Sequence, residues 1–164
     1  MKTFKQFLDE SSLSRVVSKS KKGGTAILSG SRADKSPKEN KARAKQLDKD
    51  IRGKGLGGAT KATGRYTKKD DETGKETKVK ERSHIVSSGK KGKRKFKKAI
   101  KSLGKKYGQD SVLIQKKKGT AGLTATRKGG LGDKKSVSIG KMRPGRPDKE
   151  GDTTVKKKPL SYVK

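Results

Sequence analysis

The clearest pattern along the chain is an apolar stripe of helical spacing between residues 93 and 107. Its members fall at i, i+3, i+4, i+7 and i+11, and they are Phe96, Ala99, Ile100, Leu103 and Tyr107. This spacing places them on one face of an α-helix. Gly108 follows the stripe and is typical of a helix end. We therefore predict an amphipathic helix whose remaining faces are strongly basic.

Shorter apolar segments on either side of this helix predict β-strands. They comprise residues 79–86 before the helix, then 111–115, 120–126 and a last strand around Val137 and Ile139. The order β-α-β-β-β predicts the α+β fold class, with one small sheet and one basic amphipathic helix over about 78–143. This unit is the expected folded domain.

Residues 11–77 show no comparable pattern, and we predict a basic flexible arm there with one helix near 37–51. Ser36 can cap this helix, Pro37 suits its first position, and Glu39 completes a capping box. The apolar stripe of the helix is thin and consists of Ala44, Leu47 and Ile51.

Two further segments carry local signals. Turn-forming residues at 68–75 predict a hairpin tip between strands at 65–67 and 77–79. The tail, residues 144–164, holds three of the four prolines of the chain and predicts an extended basic arm.

Composition supports the prediction of unfolded flanks. Hydrophobic residues make up 25% of the 164 residues and charged residues 39%, and the formal net charge is +32. Low apolar content leaves too little burial to offset the ordering entropy, and like charges oppose compaction. We therefore expect long disordered basic arms around the folded domain.

The charge also indicates a polyanionic partner. A solubilising surface needs a net charge of only about 2 to 8 in a small domain, so double-stranded DNA is the expected ligand. The basic face of the helix is the candidate for sequence-independent phosphate contact, although the same side chains can simply solvate it. The candidate residues are Lys93, Arg94, Lys95, Lys97, Lys98, Lys101, Lys105 and Lys106.

Candidate chemistry is sparse. The chain has no cysteine, which removes disulfides, thiol nucleophiles and thiolate metal sites. His84 is the one histidine, and a surface or sheet-packed position is favoured over a catalytic one. The acidic cluster at 70–72 is favoured as a solvated turn over an ion site. We therefore predict no enzyme, no catalytic residues, no cofactor and no metal. No apolar run approaches 18 residues, so no membrane partner is expected.

The first ten residues differ from the rest of the chain. Lys2 and Lys5 offset Asp9 and Glu10, so the segment is neutral. Its sequence, Met-Lys-Thr-Phe-Lys-Gln-Phe-Leu-Asp-Glu, resembles the capsid-targeting leader of the internal head proteins of T-even-type tailed bacteriophages. An alternative and compatible interpretation is a short amphipathic helix with Phe4, Phe7 and Leu8 on one face.

The resemblance implies cleavage by a phage prohead protease between Glu10 and Ser11, within a motif that includes Leu8. It implies a protein captured in the prohead core, packaged with the phage genome in the virion interior and injected into the host cytoplasm, where a host protein is a further expected partner. The expected function is thus a DNA-binding internal head protein. Two alternatives stay open: an injected effector or inhibitor of a host enzyme, and a structural, ribosomal-type RNA-binding protein.

Overall fold

The structure is a computed structural model that describes residues 4–57, 59–70, 72–116, 120–144, 151–155 and 158–163. Three helices and nine strands lie in these ranges. In chain order they are α1 (Phe4–Lys22), β1 (Thr25–Ser29), α2 (Pro37–Gly53), β2 (Thr60–Lys69), β3 (Glu76–Ser87), α3 (Lys93–Lys106), β4 (Ser111–Gln115), β5 (Thr120–Ala125), β6 (Gly130–Asp133), β7 (Ser136–Pro144), β8 (Gly151–Val155) and β9 (Lys158–Val163).

Eight of these strands form a closed antiparallel barrel. Their order around it is β1-β3-β2-β8-β9-β7-β5-β4. β1 closes the barrel because Ile27 pairs with Ile85 of β3 on one side and with Leu113 of β4 on the other. A closed barrel leaves no sheet edge unpaired, which removes the usual route to edge-to-edge aggregation.

The outer face of the barrel packs against α2 and α3. Leu28 of β1 and Val86 of β3 belong to this core, together with residues from both helices. The helix residues are Leu47, Ile51, Phe96, Ile100, Leu103 and Tyr107. Because these side chains are buried at helical spacing, each helix holds its apolar stripe against the sheet.

Alternate residues of the same strands point into the barrel. Ile27 and Ile85 lie in a second core with Leu13 and Val16 of α1. Val155 of β8 and Leu160 of β9 complete its buried residues. Since neighbouring residues of a strand face opposite sides, α1 packs on the inward-facing residues while α2 and α3 cover the outside.

Both predicted helices are confirmed. Residues 93–107 form α3, with Tyr107 as its C-cap. The second helix begins as predicted, because the Ser36 side chain accepts a hydrogen bond from the Glu39 backbone N–H at 3.2 Å. The Ser36 backbone N–H donates in return to the Glu39 carboxylate at 2.8 Å.

The predicted hairpin is confirmed as well. β2 and β3 pair along their length, with Thr67 opposite Lys78. At the tip, the Asp70 carboxylate accepts hydrogen bonds from the backbone N–H groups of Glu72 and Thr73. The tip is therefore a turn held by an Asp side chain, which is the turn chemistry that the sequence indicates. Asp71, from the acidic cluster, lies outside the described residues.

The predicted fold class is wrong. The α+β prediction of a small sheet within 78–143, flanked by disordered basic arms, is replaced by a barrel whose strands come from the whole length of the chain. β1 and β2 lie in the predicted N-terminal arm, and β8 and β9 in the predicted tail. The reason is that β2 and β8 carry mostly small, polar or basic residues and β1 and β9 are only five and six residues long, so these strands become stable only when both neighbours and the covering helices are present.

The N-terminal segment is helical from Phe4 onward, which agrees with the alternative of an N-terminal helix. Leu8, Glu10 and Ser11 of the predicted cleavage site have helical backbone within α1, and Met1, Lys2 and Thr3 lie outside the described residues. Among the described helices, none combines the length and apolar character needed to cross a bilayer.

Candidate functional site

The β2–β3 hairpin brings a tyrosine and a glutamate together on one face. Gly64 pairs with Glu81, and Tyr66 pairs with Val79, two residues further along the same face. Diagonal neighbours on one face of an antiparallel pair are close enough for long side chains to interact. Glu81 also shares its face with Ile85, so it points to the inner side of the barrel wall.

Gly64 makes room for the Glu81 side chain. A Cβ atom at position 64 would lie 3.3 Å from Glu81 Cγ and 3.0 Å from the Ser83 hydroxyl. Both contacts are tighter than ordinary van der Waals distances. The glycine therefore lets the glutamate lie across the neighbouring strand.

Glu81 is half-buried in a chain that is overwhelmingly cationic. Burial raises the pKa of its carboxyl above the ordinary 4.5, and a side-chain hydrogen bond with Ser29 acts in the opposite direction. Among the described residues, no ion pair to Glu81 is formed. With 48 lysines and arginines against 16 acidic residues, a half-buried carboxylate that forms no ion pair within the described part of the chain stands apart from a simple surface charge.

Tyr66 supplies an aromatic ring next to this carboxylate. The residue is 42% exposed, which makes it the exposed large hydrophobic side chain of the described residues. Partial burial and then the charge of Glu81 raise the pKa of its phenol. The two side chains therefore influence each other electrostatically at a place that solvent reaches.

This pair suits recognition of an organic cation. An ionised carboxylate neutralises the positive charge, and the face of an aromatic ring attracts a cation through its quadrupole. A half-buried carboxylate with a raised pKa is also a stronger base than an exposed one. We call Glu81, Tyr66 and Gly64, with Ser29 and Ser83 beside them, the hairpin site.

His84 belongs to the opposite face of β3. It is buried, and burial lowers the pKa of its imidazole; the charge of Asp48 opposes this shift and the charge of Lys61 adds to it. It lies three positions after Glu81 along the strand, an odd number, so the two side chains point to different sides. His84 is thus the sheet-packed histidine that the sequence favours, and it is not placed to act with Glu81. Among the described residues, no group of three or more His, Asp or Glu side chains is arranged to hold a metal ion.

The eight predicted phosphate-contacting residues lie on α3, outside the barrel, and they do not join the hairpin site. All eight are exposed. Lys106 is engaged, because its Nζ lies 2.8 Å from Asp50 of α2. Lys93 and Lys97 line a cavity at the N-terminal end of α3. Phosphate contact by these residues stays a prediction.

The sequence reasoning missed Tyr66, Gly64 and Glu81, although β3 carries a signal. Lys78, Lys80 and Arg82 occupy one phase of the strand. The alternate positions of the strand are Val79, Glu81, Ser83 and Ile85. The glutamate therefore occupies a position at which the polar–apolar alternation predicts an inward-facing residue. A carboxylate at such a position is a candidate functional residue.

Fold and site together define a small cationic β-barrel protein with a carboxylate–aromatic pair on its wall. More specifically, the chain belongs to the S-adenosylmethionine lyase family, whose model matches residues 26–163 and so covers the barrel from β1 to β9. A search of curated proteins finds no significant match to the chain.

Family membership corrects the predicted function. The prediction of a DNA-binding internal head protein of a phage capsid is wrong. The alternative of an injected effector or inhibitor acting on a host enzyme stays a prediction. The misleading feature was charge, because a strongly basic surface indicates polyanion affinity but says nothing about a site on the barrel wall. The family takes its name from an enzyme, which weighs against the prediction of a non-enzymatic protein without establishing activity.

The family match begins at residue 26 and does not reach the predicted leader. The resemblance of residues 1–10 to a capsid-targeting leader and the cut after Glu10 therefore stay predictions. The same holds for the prohead partners, DNA, the host protein and the location in a virion.

Proposed function

We propose that this chain cleaves S-adenosylmethionine, the compound for which its family is named, and that it does so at the hairpin site. The observation that carries the proposal is the half-buried carboxylate of Glu81, which forms no ion pair among the described residues, beside the exposed ring of Tyr66. The sulfonium and ammonium groups of S-adenosylmethionine are cations, and the rest of this surface repels cations. The hairpin site is the place where a carboxylate and an aromatic face offer them a favourable contact.

A lyase breaks a bond without water or an external oxidant. When a carbon–sulfur bond of the sulfonium breaks, its electron pair moves to sulfur, which leaves as a neutral thioether. The carbon fragment then either loses a proton to a base or closes onto its own carboxylate. Glu81 is suited to accept the proton in the first case and to orient the cationic substrate in the second.

The test is direct assay of the purified full-length chain with S-adenosylmethionine. Separation and mass analysis of the products would detect loss of substrate and appearance of an adenosyl thioether. The second fragment has the same formula on both routes, so chromatographic comparison with standards is needed to distinguish the unsaturated amino acid from the ring-closed lactone. Mild alkaline hydrolysis gives a second distinction, because it adds water to the lactone and leaves the alkene unchanged.

Glu81→Gln is the decisive variant, since it keeps the shape of the side chain and removes its charge and basicity. We expect it to lower kcat/KM by about 10²-fold or more, the range for loss of a positioned proton-transfer or charged group. Glu76→Gln is the matched control, because Glu76 is an exposed glutamate of the same strand. Its activity should stay within about twofold of the parent. Cleavage that survives Glu81→Gln unchanged, or absence of cleavage by the parent chain, would refute the proposal.

A further inference from the structure

A second site lies at the N-terminal end of α3, on the outer side of the barrel. A cavity of about 620 Å³ opens there between the first turns of α3, the junction of α1 with β1, and strands β4, β5 and β7. Small-molecule sites in proteins typically occupy about 300–1,000 Å³. The cavity is therefore large enough for a ligand of nucleotide size.

The lining of the cavity is strongly cationic. Five lysines line it, and among its described lining residues none is acidic. The lysines are Lys22, Lys91, Lys93, Lys97 and Lys116. Such a cavity attracts an anion and repels a cation, so S-adenosylmethionine with its sulfonium is a poor occupant.

The start of α3 adds backbone donors to the lysines. The helix begins after Gly92, which serves as N-cap and offers no side-chain hydrogen bond to the first turn. The first N–H groups of a helix have no partner within the helix and carry partial positive charge. An anion in the cavity would satisfy donors that this sequence leaves uncapped.

Gln115, at the end of β4, also lines the cavity. Its side chain is fully buried, with 0% exposure. Its Oε1 accepts a hydrogen bond from the Tyr162 hydroxyl at 3.4 Å, but its Nε2 has no hydrogen-bond partner among the described residues. Gln115 pairs with Thr25, on the same face as Ile27, so its side chain lies on the inner side of the barrel wall and its unpaired amide does not identify the ligand of this cavity.

The cavity also has an apolar part. Phe96, which is only 2% exposed, lines it together with Ile114 and Val137. A bare phosphate would leave this surface uncovered. The lining thus matches a molecule that joins an anionic group to a flat or apolar one.

From these features we infer that the cavity binds a phosphate ester of a nucleoside, with its phosphates at the lysines and the start of α3 and its base toward Phe96. This site differs in chemistry and in place from the hairpin site, because the cavity adjoins α3 on the outer side of the barrel while Glu81 points inward. The inference does not depend on lyase activity.

The first experiment is calorimetric titration of the full-length chain with ADP, adenosine and inorganic phosphate, at about 0.15 M salt to screen diffuse attraction. We expect ADP to bind at one saturable site. Adenosine and phosphate should each bind at least about tenfold more weakly, since each lacks one half of the contacts. Absence of saturable ADP binding would overturn the inference.

Matched charge variants separate the cavity from the general basic surface. Lys93→Gln with Lys97→Gln removes two cavity lysines, and Lys98→Gln with Lys101→Gln removes two exposed lysines of the same helix that do not line the cavity. The cavity pair should weaken ADP binding by about tenfold or more, and the control pair by less than about twofold. Equal losses would show polyelectrolyte attraction only and would refute a built site.

A volume variant tests the base subsite without changing charge. Ser138 is an exposed lining residue of β7, and Ser138→Trp would fill part of the cavity. We expect ADP affinity to fall to that of inorganic phosphate while phosphate affinity is retained. An unchanged ADP affinity in a folded Ser138→Trp protein would contradict the assignment. Cleavage of S-adenosylmethionine, measured in parallel, should be unaffected, so failure of either proposal can be recognised separately.

Discussion

At the scale of single residues, Glu81 combines a cost in stability with a proposed role in chemistry. A carboxyl whose pKa is raised on folding favours the folded state while it is protonated. That contribution is present below the ordinary value of 4.5 and is lost as pH rises through the raised pKa of the folded protein. Ionised Glu81 therefore destabilises the barrel at neutral pH, which is a common property of functional groups.

The first prediction follows from the destabilising effect of ionised Glu81. Glu81→Gln should unfold at a higher temperature than the parent at pH 7, by about 2–4 °C, the change that about 1 kcal/mol produces in a domain of this size. The difference should shrink as the pH is lowered toward 4.5, where the parent carboxyl becomes protonated. Thermal unfolding followed by circular dichroism across this pH range measures it. A variant less stable than the parent at pH 7 would show that the ionised carboxylate is well satisfied in the fold.

Enzyme activity should show the matching pH dependence. If ionised Glu81 acts on the substrate, kcat/KM for S-adenosylmethionine should rise with pH through the raised pKa of this group and then level off. The rise should therefore occur above pH 4.5. A flat profile from pH 4 to 8 in protein that remains folded would argue against a role for this carboxylate.

Gly104 shows how one residue fixes the distance between two elements. It is buried within α3, and a Cβ atom there would lie 2.5 Å from Val112 Cγ1 and 2.8 Å from Thr126 Cγ2. The helix can approach β4 this closely only because position 104 has no side chain. The close approach holds the α3 stripe against the barrel wall.

Gly104→Ala should therefore destabilise the protein by about 1–3 kcal/mol, even though alanine is the better helix former, because the added methyl overpacks the contact. Gly53→Ala is the control at the end of α2, where a Cβ would have nothing within 4 Å. That change should be neutral or stabilising by up to about 1 kcal/mol. Urea unfolding gives both values, and a stabilised Gly104→Ala protein would contradict the packing argument.

At the scale of elements, α2 and α3 are joined through Asp50. Its Oδ2 accepts hydrogen bonds from the Lys106 Nζ at 2.8 Å and from the Tyr107 hydroxyl at 2.6 Å. Lys106, Tyr107 and then Gln46 lower the pKa of the Asp50 carboxyl below the ordinary 3.8. Arg43 adds a second link, since its guanidinium donates to the Tyr107 carbonyl at 2.7 Å.

Asp50→Asn should destabilise the protein by about 1 kcal/mol near pH 7, a figure that allows for the partial exposure of the pair. A lowered pKa gives stability that is present above 3.8 and is lost as pH falls through the folded-state value. The difference between variant and parent should therefore vanish in acid. Asp48→Asn, which breaks the ion pair to Arg52 within α2, is the control and should cost less than about 0.5 kcal/mol.

At the scale of the whole molecule, the barrel depends on strands from both ends of the chain. β8 and β9 pair with each other and connect β2 to β7. Without them two strands lose a neighbour, and Val155 and Leu160 leave the inner core. A tail of this kind is part of the fold and not an appendage.

Deletion of residues 145–164 should therefore abolish cooperative thermal unfolding. The expected signs are loss of the sigmoidal transition and faster proteolysis of the remaining chain, because an open sheet exposes two unpaired edges and part of the core. A truncated chain that keeps the melting temperature of the parent would instead support the disordered tail that the composition predicts.

Several elements could be predicted from the sequence because their information is local. The stripe from Phe96 to Tyr107 specifies α3, and the Ser36–Glu39 capping box specifies the start of α2, since both lie within a few residues. The hairpin tip at Asp70 is local in the same sense. The sequence marks Glu81 as unusual only because a charged residue interrupts the alternation of polar and apolar positions in β3. Nothing in the sequence around Tyr66 predicts that it belongs to a site.

What the sequence determined by itself is therefore the charge, two helices, the hairpin and most of the central strands. The tertiary structure decided that the flanks join a closed barrel, because β2 and β8 have few apolar residues and gain stability from pairing with strands distant in the chain. It also decided the site: Glu81 and Tyr66 lie 15 residues apart in sequence, and only the register of β2 against β3 brings them together. Register depends on the backbone hydrogen bonds between strands, and it cannot be predicted from the amino-acid composition.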